Sequence, residues 1–463
     1  MSHPSSAVLD LRRPPRGDWS DPSAKAIATS AADGVRMADL LGRLSLAFDI
    51  SCISPHGKAV RCVVLALELG VRAGVAEEAL HDTYWVSLLG YLGCGAPDMS
   101  MRLAEMVGAA PRVRNALTDL CEPRQAMGLP ARLSRMGRMM EMAHQQHGRE
   151  GAVAFLQRGA GGEIDSRLTK VFIKEQAALF TAIEDPRIFD RFLALEPGPV
   201  VCADDHRVDD VARALATFAD LRCPIFVGHS TSVAALAERA AAELGFAAED
   251  VRVLRRAALL HDIGRLGVPN RIWTKPGPLD WSEMERVRLH AYYTTRVLSP
   301  IRLLGPVADV AAAAHERVDG AGYPQARITR SLSPAARVLA VADMAVAMSE
   351  ARPHREALGP EHIARELVAE VDAGRLDAWA VDAVMASLGV KTRLAARRTH
   401  GLSDRELEVC GLIARGKMNK EIGDVLGITL RTVQNHVAHI FDKLGVHSRS
   451  GVAVWLVEND LAH

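Results

Sequence analysis

From Val35 onward the chain follows a helical period. Met37, Leu40, Leu41, Leu44, Ala47 and Phe48 fall on one apolar face, the stripe that a helix lays against a core. Residues 1–33 lack that period, are rich in Pro, Ser, Asp and Arg, and read as a disordered tail. A weak internal repeat runs through the periodic part. Gly57 to Pro97, ending LLGYLGCGAP, aligns nearly without gaps on Gly228 to Pro269, ending LLHDIGRLGVP. Gly74 then falls on Gly245, and Leu88-Leu89 on Leu259-Leu260. In the same register Gly90-Tyr91 replaces His261-Asp262, and Lys58 replaces His229. The first copy keeps the helices and loses the residues that carry chemistry.

The segment 98–220 is helical and carries no chemical motif. His144 and His147, in the order HxxH, form a solvated face without a third ligand. Arg158 to Gly162 is a glycine-rich connector, lacking the strand–loop–helix setting and the Lys-Ser/Thr of a phosphate cradle. Pro197-Gly198-Pro199 marks a break before the second half, and KTRLAARRT reads as a basic linker. The expected division is a tail (1–33), a first helical domain (34–170), a helical connector (171–217), a ligand-bearing helical domain (218–390), a linker (391–400) and a terminal domain (401–463).

Composition narrows the class. Apolar residues make up 49% and aromatics only 5%, which suits an Ala/Leu/Val-rich all-α protein better than a β-sandwich. The formal net charge is zero, so any attraction to nucleic acid must come from a local patch. Only nine of the 56 basic residues are Lys, and this general Arg excess makes Arg-rich stretches weak pointers to DNA. Seven cysteines without a CxxC pair read as reduced thiols. With no signal-peptide pattern and no membrane-spanning apolar run, a cytoplasmic protein without membrane contact is expected.

The candidate chemistry sits in the second copy. His229, the His261-Asp262 pair, His290, His315 and Asp343 lie roughly 25 to 35 residues apart, a spacing that lets the helices of a bundle converge them on one ion. Gly264, Gly267 and Pro269 end the helix that presents His261 and Asp262. Ser282 and Glu285 are expected to form a capping box ahead of His290. Asp319 to Pro324 reads as a turn whose glycines permit positive φ or close backbone approach.

Together, GHS, LLHDIG, RLH, HERVDGAGYP and ARVLAVADM resemble the HD-GYP branch of the HD-domain metal phosphohydrolases, over about Phe218 to Leu388. The resemblance implies one divalent transition-metal ion (Fe, Mn or Ni) on His229, His261, Asp262 and Asp343. It implies a second ion bridged by Asp262 and held by His290 and a His-His pair. It assigns catalytic roles to Asp262 and Arg265, and hydrolysis of cyclic di-GMP as the family activity. Three positions depart from the pattern. Ala314 precedes His315 where a second His is expected, Arg265 stands for a Lys, and Val346 for an Asp. One ion site is therefore complete and the second weakened. FADLRCPIFVGHS, VPNRIWTKPGPLDWSEMERVRLHAYYTTRVL and SEARPHREAL further resemble a bacterial group that joins a degenerate HD-like bundle, an HD-GYP-like bundle and a LuxR-type terminus.

The terminus parses into four short helices. Ser403 and Glu406 make a capping box, Gly416 closes the first helix, Asn419 caps the second, Gly427 ends it, Thr429 caps a third to Leu444, and Ser448 caps the last. A short helix, a glycine turn and a longer helix with polar N-terminal residues is the pattern of a helix-turn-helix. The run from LSDRELEVC to KLGVHSR resembles the LuxR-type DNA-binding domain. That match puts Arg431, Thr432, Gln434, Asn435 and His439 toward double-stranded DNA and Val433, Val437, Ile440 and Leu444 toward the core, with Lys420 and Lys443 as phosphate contacts. From Lys391 to His463 eleven basic and eight acidic residues leave a charge of only +3, so a homodimer is expected.

Three functional readings stay open on sequence alone. One is a transcriptional regulator sensing or hydrolysing a phosphate-bearing ligand such as a cyclic dinucleotide. The second is a metal-dependent phosphodiesterase with an accessory DNA reader. The third is a metal-free structural pair of bundles relaying a partner's signal.

Overall fold

The computed structural model describes residues 34–51, 57–93, 97–123, 126–162, 164–353, 355–392, 394 and 402–458. The expected tail and most of the expected linker lie outside the described residues. Within them the all-α expectation holds, the one sheet being a two-residue pairing. The first half comprises α1 (Met37–Ser51), α2 (Lys58–Arg72), α3 (Glu77–Leu92), α4 (Pro97–Met106), α5 (Pro111–Asp119), α6 (Leu129–Gly159), α7 (Ser166–Glu184) and α8 (Ile188–Ala194). The second comprises α9 (Asp205–Leu221), α10 (His229–Glu243), α11 (Ala248–Leu260), α12 (Asn270–Trp273), α13 (Trp281–Leu298), α14 (Gly305–Ala312), α15 (Pro334–Ser349), α16 (Pro360–Asp372) and α17 (Ala378–Ser387). The terminal domain comprises α18 (Asp404–Ala414), α19 (Asn419–Leu426), α20 (Leu430–Leu444) and α21 (Arg449–Glu458). Among the described residues no helix is long and apolar enough to cross a membrane.

The sequence repeat has a structural counterpart. Gly57 and Gly228, at φ 80° and 84°, open α2 and α10 from the left-handed region. Gly74 and Gly245, at φ 72° and 70°, turn the chain into α3 and α11. In the first half α2 packs on α3, α6 and α7; in the second, α10 packs on α11, α15 and α17. β1 (Val35–Arg36) ahead of α1 pairs antiparallel with β2 (Cys202–Ala203) ahead of α9. The two halves share one continuous apolar core.

The halves differ in what fills the place of the ligands. Tyr91, in register with Asp262, donates its hydroxyl to buried Asp49 at 2.6 Å, and the Lys58 backbone N–H donates to the same carboxylate at 2.9 Å. Burial pushes the Asp49 carboxyl up to about 6 against these donors. Arg61 closes a buried ion pair with Glu141 at 3.0 Å. Arg61 meets Glu141 through Oε1, while Glu141 Oε2 is buried without a partner. The groups that converge as metal ligands among the described residues lie in the second half.

Caps set the helix starts, and two differ from expectation. Asp280, not Ser282, caps α13: its carboxylate accepts from Glu283 N, and Glu283 accepts from Asp280 N. Asp280 takes the extended backbone of an N-cap, and its carboxylate reaches the third amide, so the helix starts at Trp281 and already includes Ser282. Met418 stands at the N-cap of α19, with Glu421 accepting from its N–H at 2.7 Å. Asn419 is inside the helix, and its side-chain oxygen accepts from Arg449 at 2.6 Å. The other terminal caps fall as expected on Ser403, Thr429 and Gly427.

The terminal domain has its own small core of Val409, Ile413, Ile422, Val433, Ile440, Val452 and Leu456. Glu406 ties it together, closing the α18 capping box and accepting from Lys443 Nζ at 2.7 Å. Burial would raise this carboxyl, but Lys443 and the Ser403 amide outweigh it and hold it down to about 2. A carboxyl depressed on folding gives stability that is full above its ordinary value of 4.5 and is lost as pH falls through about 2. The terminal domain's melting temperature should therefore fall between about pH 5 and pH 2. Glu406→Gln should start lower and lose less over that range. Parallel pH slopes for the two proteins would remove this ion pair from the account.

Candidate metal centre and nucleic-acid interface

Helix ends and helix middles converge six side chains. His229 is the first residue of α10, His261 caps the C-terminus of α11, and Asp262 follows at φ −107°, ψ 11°. His290 lies within α13 and Asp343 within α15. His315 lies in the turn beyond α14 and not on a helix. One ligand atom from each of His229, His261, Asp262 and Asp343 lies within 4.8 Å of the others, and the same holds for Asp262, His290 and His315. Asp262 belongs to both sets. All six residues are buried.

The proton inventory decides what this cluster suits. A backbone carbonyl can only accept, so His261 Nδ1 donates to Ala258 O at 2.8 Å and His290 Nδ1 donates to Val287 O. His229 Nδ1 faces the Glu350 carboxylate at 3.0 Å. These three rings thus turn Nδ1 outward and Nε2 inward, whereas His315 turns its Nδ1 to Asp343 Oδ2 at 3.3 Å. Inside, His261 Nε2 lies 2.8 Å and His229 Nε2 3.5 Å from Asp262 Oδ2, and His290 Nε2 lies 3.1 Å from Asp262 Oδ1. The Nε2 atoms of His290 and His315 approach to 2.7 Å. Nevertheless His261 Nε2 and both Asp262 oxygens have no partner in hydrogen-bonding geometry. Although His229 Nε2 hydrogen-bonds with Asp343 Oδ1 at 3.1 Å, so many buried imidazole and carboxylate atoms gathered around Asp262 fit a divalent cation, and the His/carboxylate donor set is that of a transition metal.

The electrostatics say the same in terms of protons. Burial disfavours a charged His229, but Asp262, Asp343 and Glu350 outweigh burial and the repulsion of Arg265, pushing it up to about 10. Burial likewise opposes a charged His261, which Asp262 and Asp343 push up to about 9. Burial would raise Asp262, yet Arg265 and the rings hold it well below the usual carboxylate range. In His290, burial and the neighbouring His315 lower the pKa. The carboxylates thus demand positive charge, supplied by protons or by a metal ion that displaces them.

Residues that the sequence reading missed build the surroundings. Val346 leaves its side of α15 without a carboxylate, and Glu350, the C-cap residue just past the end of α15, supplies the one that meets His229. Arg352 pairs with Glu350 and lies 4.6 Å from the Phe226 ring centre. Arg265 pairs with Asp262, and its guanidinium carbon lies 3.9 Å from the same Phe226 ring centre and 5.6 Å from that of Trp273. Tyr323 stacks on His315 at 5.1 Å and 13°. Its turn is fastened by Glu316, which accepts from Gln325 N and Arg327 N. At Gly322 a Cβ would come within 2.4 Å of Arg317 N, so close approach rather than backbone sign requires that glycine. Phe226 and Trp273 carried no signal, because lone aromatic residues beside a short helix read as ordinary core.

A latch fixes the ligand pair to α13. The Thr294 hydroxyl donates to His261 O at 2.8 Å and accepts from Gly264 N at 3.1 Å. Gly264 lies so close that a Cβ would meet His290 O at 2.0 Å and Thr294 N at 2.5 Å.

In the terminal domain, Arg431, Gln434, Asn435 and His439 are exposed along one face of α20, with Val433 and Ile440 buried behind them. Thr432 is half-buried, its hydroxyl 2.8 Å from that of Thr429. Lys420 is exposed. Lys443, expected at phosphate, instead spends its ammonium on Glu406 within the domain.

Helix bundle, shared-carboxylate ligand set and helix-turn-helix define a metal-site domain joined to a DNA-binding one. Comparison with known proteins gives the families: residues 213–379 match the HD domain family and residues 400–456 the luxR family of bacterial regulatory proteins. The chain carries an HD domain followed by a LuxR-type DNA-binding domain. It is 32% identical over 237 residues to the 3'3'-cGAMP-specific phosphodiesterase 3 of Vibrio cholerae, covering 50% of this chain and 52% of that protein. Over 62 residues it is 48% identical to the transcriptional regulatory protein LiaR of Bacillus subtilis, covering 13% of this chain and 29% of that one. The chain thus spans about half, or less, of the length of these curated relatives. A solved structure of a cyclic GMP-AMP-specific phosphodiesterase of Vibrio cholerae shares the fold at a TM-score of 0.58 and 23% identity, covering 78% of this chain and 99% of that one.

Adding a methyl group at the latch tests how the site is held. Gly264→Ala should destabilise the HD domain by about 1–3 kcal/mol through overpacking and reduce bound metal by displacing α13. Denaturant melts and metal analysis check both. An unchanged midpoint with full metal content would show that the close approach does not position the ligands.

Proposed function

We propose that this chain is a DNA-binding transcriptional regulator whose HD domain binds a cyclic dinucleotide at a divalent-metal centre and hydrolyses one of its phosphodiester bonds. The observation that carries this reading is Asp262, whose two oxygens face the two ligand sets. A shared carboxylate of this kind suits two ions side by side. His229, His261, Asp262 and Asp343 would hold the first ion, and Asp262, His290 and His315 the second. When bound, such ions supply Lewis-acid polarisation of the phosphoryl group and a water nucleophilic at neutral pH.

The chain's own groups do the remaining work. Glu350 holds the Nδ1 proton of His229 and so keeps Nε2 turned inward. Arg265, whose Nε and Nη1 have no partner, directs charged donors toward the cluster and can neutralise a phosphodiester. Phe226, Trp273 and Tyr323 line the aromatic side of the site beside the rings of His229, His290 and His315. Their bulk limits water around the reacting bond. At the terminus, the exposed face of α20 would read bases, Lys420 would contact phosphate, and a dimer would add the affinity that one weakly basic domain lacks.

A second reading, sensing without turnover, is favoured by one position. Ala314 leaves the second set with three protein ligands, as Asp262, His290 and His315. That reading keeps the metal centre and the DNA reader and drops the reaction.

Protein purified without oxygen and loaded with Fe or Mn should linearise 3'3'-cGAMP or cyclic di-GMP, and Asp262→Asn should abolish this. Full metal loading with no turnover of either compound would leave the sensing reading. On the DNA side, Lys420→Ala should weaken binding to all sequences alike and lower the salt slope by about one unit. A loss confined to one operator would contradict a phosphate contact there.

A further inference from the structure

Trp273 ends α12, within the wall of the metal centre. Its ring stands edge-on to Phe226, with centroids 5.1 Å apart at 84°, and its centroid lies 5.8 Å from that of His290. The Arg265 guanidinium carbon lies 5.6 Å from the ring centre. The indole N–H is shut off from water and has no hydrogen-bond partner. Two nitrogens of Arg265, Nε and Nη1, are in the same condition, while Nη2 faces Asp262. Three buried, unpartnered donors thus belong to two residues packed against the ligand cluster.

Packing alone does not account for this arrangement. A phenylalanine would wall the site as well, and a buried N–H without a partner is destabilising. An indole nitrogen only donates, so its partner must bring an acceptor and cannot be a metal ion. Beside a guanidinium and a divalent-metal centre, the acceptor with matching charge is a non-bridging oxygen of a phosphate group.

We propose that Trp273 is a substrate-binding residue, donating its indole N–H, beside the free N–H groups of Arg265, to a non-bridging phosphoryl oxygen of the ligand at the metal centre. This rests on the reading of the site as a centre for phosphodiesters, and adds to it a neutral donor that the ligand pattern does not include.

Inorganic phosphate is the probe, titrated calorimetrically into the full-length protein loaded with Mn. Trp273→Phe keeps an aromatic wall and removes the N–H. It should bind phosphate about tenfold more weakly, the scale of one hydrogen bond to a charged group, with metal content and melting temperature unchanged. Equal phosphate affinity in the two proteins would overturn the proposal. So would metal loss in the variant, which would make Trp273 a wall of the ligand cluster, or a loaded parent that binds no phosphate. Should the phenylalanine variant fail to fold, 3-benzothienylalanine at position 273 replaces the N–H by sulfur in the same outline, and the same outcomes apply. Cyclic-dinucleotide turnover is not the readout. A parent that binds phosphate through Trp273 yet hydrolyses nothing would sink the proposed reaction and leave this donor in place.

Discussion

Two carboxylates and four imidazoles are pressed together inside an apolar helix bundle, with their oxygens and nitrogens facing one another. Charges removed from water are costly unless paired, by several kcal/mol each, and here the protein partners are nearly all acceptors. Arg265 supplies one positive charge to Asp262, while both Asp262 oxygens still lack hydrogen-bonding geometry. Much of the local architecture serves to hold this unfavourable set in place. The Thr294 hydroxyl clamps the turn after His261, Gly264 lets α13 close on it, and Glu350 fixes the outer edge of His229. A divalent cation would turn the whole arrangement from a liability into a site.

The first half shows what the same helices do without that demand. Tyr91 occupies the register of Asp262, and its hydroxyl is satisfied by Asp49. Arg61 and Glu141 answer each other. One scaffold thus appears twice, once with a carboxylate and a tyrosine paired where the ligands would stand and once with an interior left short of positive charge. The shared core joins the two, and α1 of the first half lies against the 3-10 turn 263–267 that follows the ligand pair. The closed copy therefore helps to support the open one.

The sequence made legible whatever depends on period, spacing and cap chemistry. The apolar stripe of α1, the glycines that open α2 and α10, and the six candidate ligands could all be read before any coordinates, because each is local or repeats at helical intervals. The structure brings those six residues together. What stayed hidden depends on distance through space. Glu350 becomes meaningful only because α15 carries it back over His229, and Lys443 looks like a DNA contact until α18 places Glu406 beside it. Capping was misread at Ser282 and Asn419 for a related reason. Several residues near each helix start can cap, and the backbone angles at Asp280 and Met418 decide which does.

Metal removal tests the central claim most directly. The purified protein would be melted calorimetrically before and after chelation, with metal content measured on the same samples, and again after Mn or Fe is restored. The account predicts that metal-free protein loses stability in the transition of the large helical core, by about 3 kcal/mol if the ion had been present at a hundred times its dissociation constant. Readdition should restore it, and the terminal domain's transition should not move. A protein shown to be free of metal that melts like the loaded one would mean that this cluster needs no cation, contradicting the account.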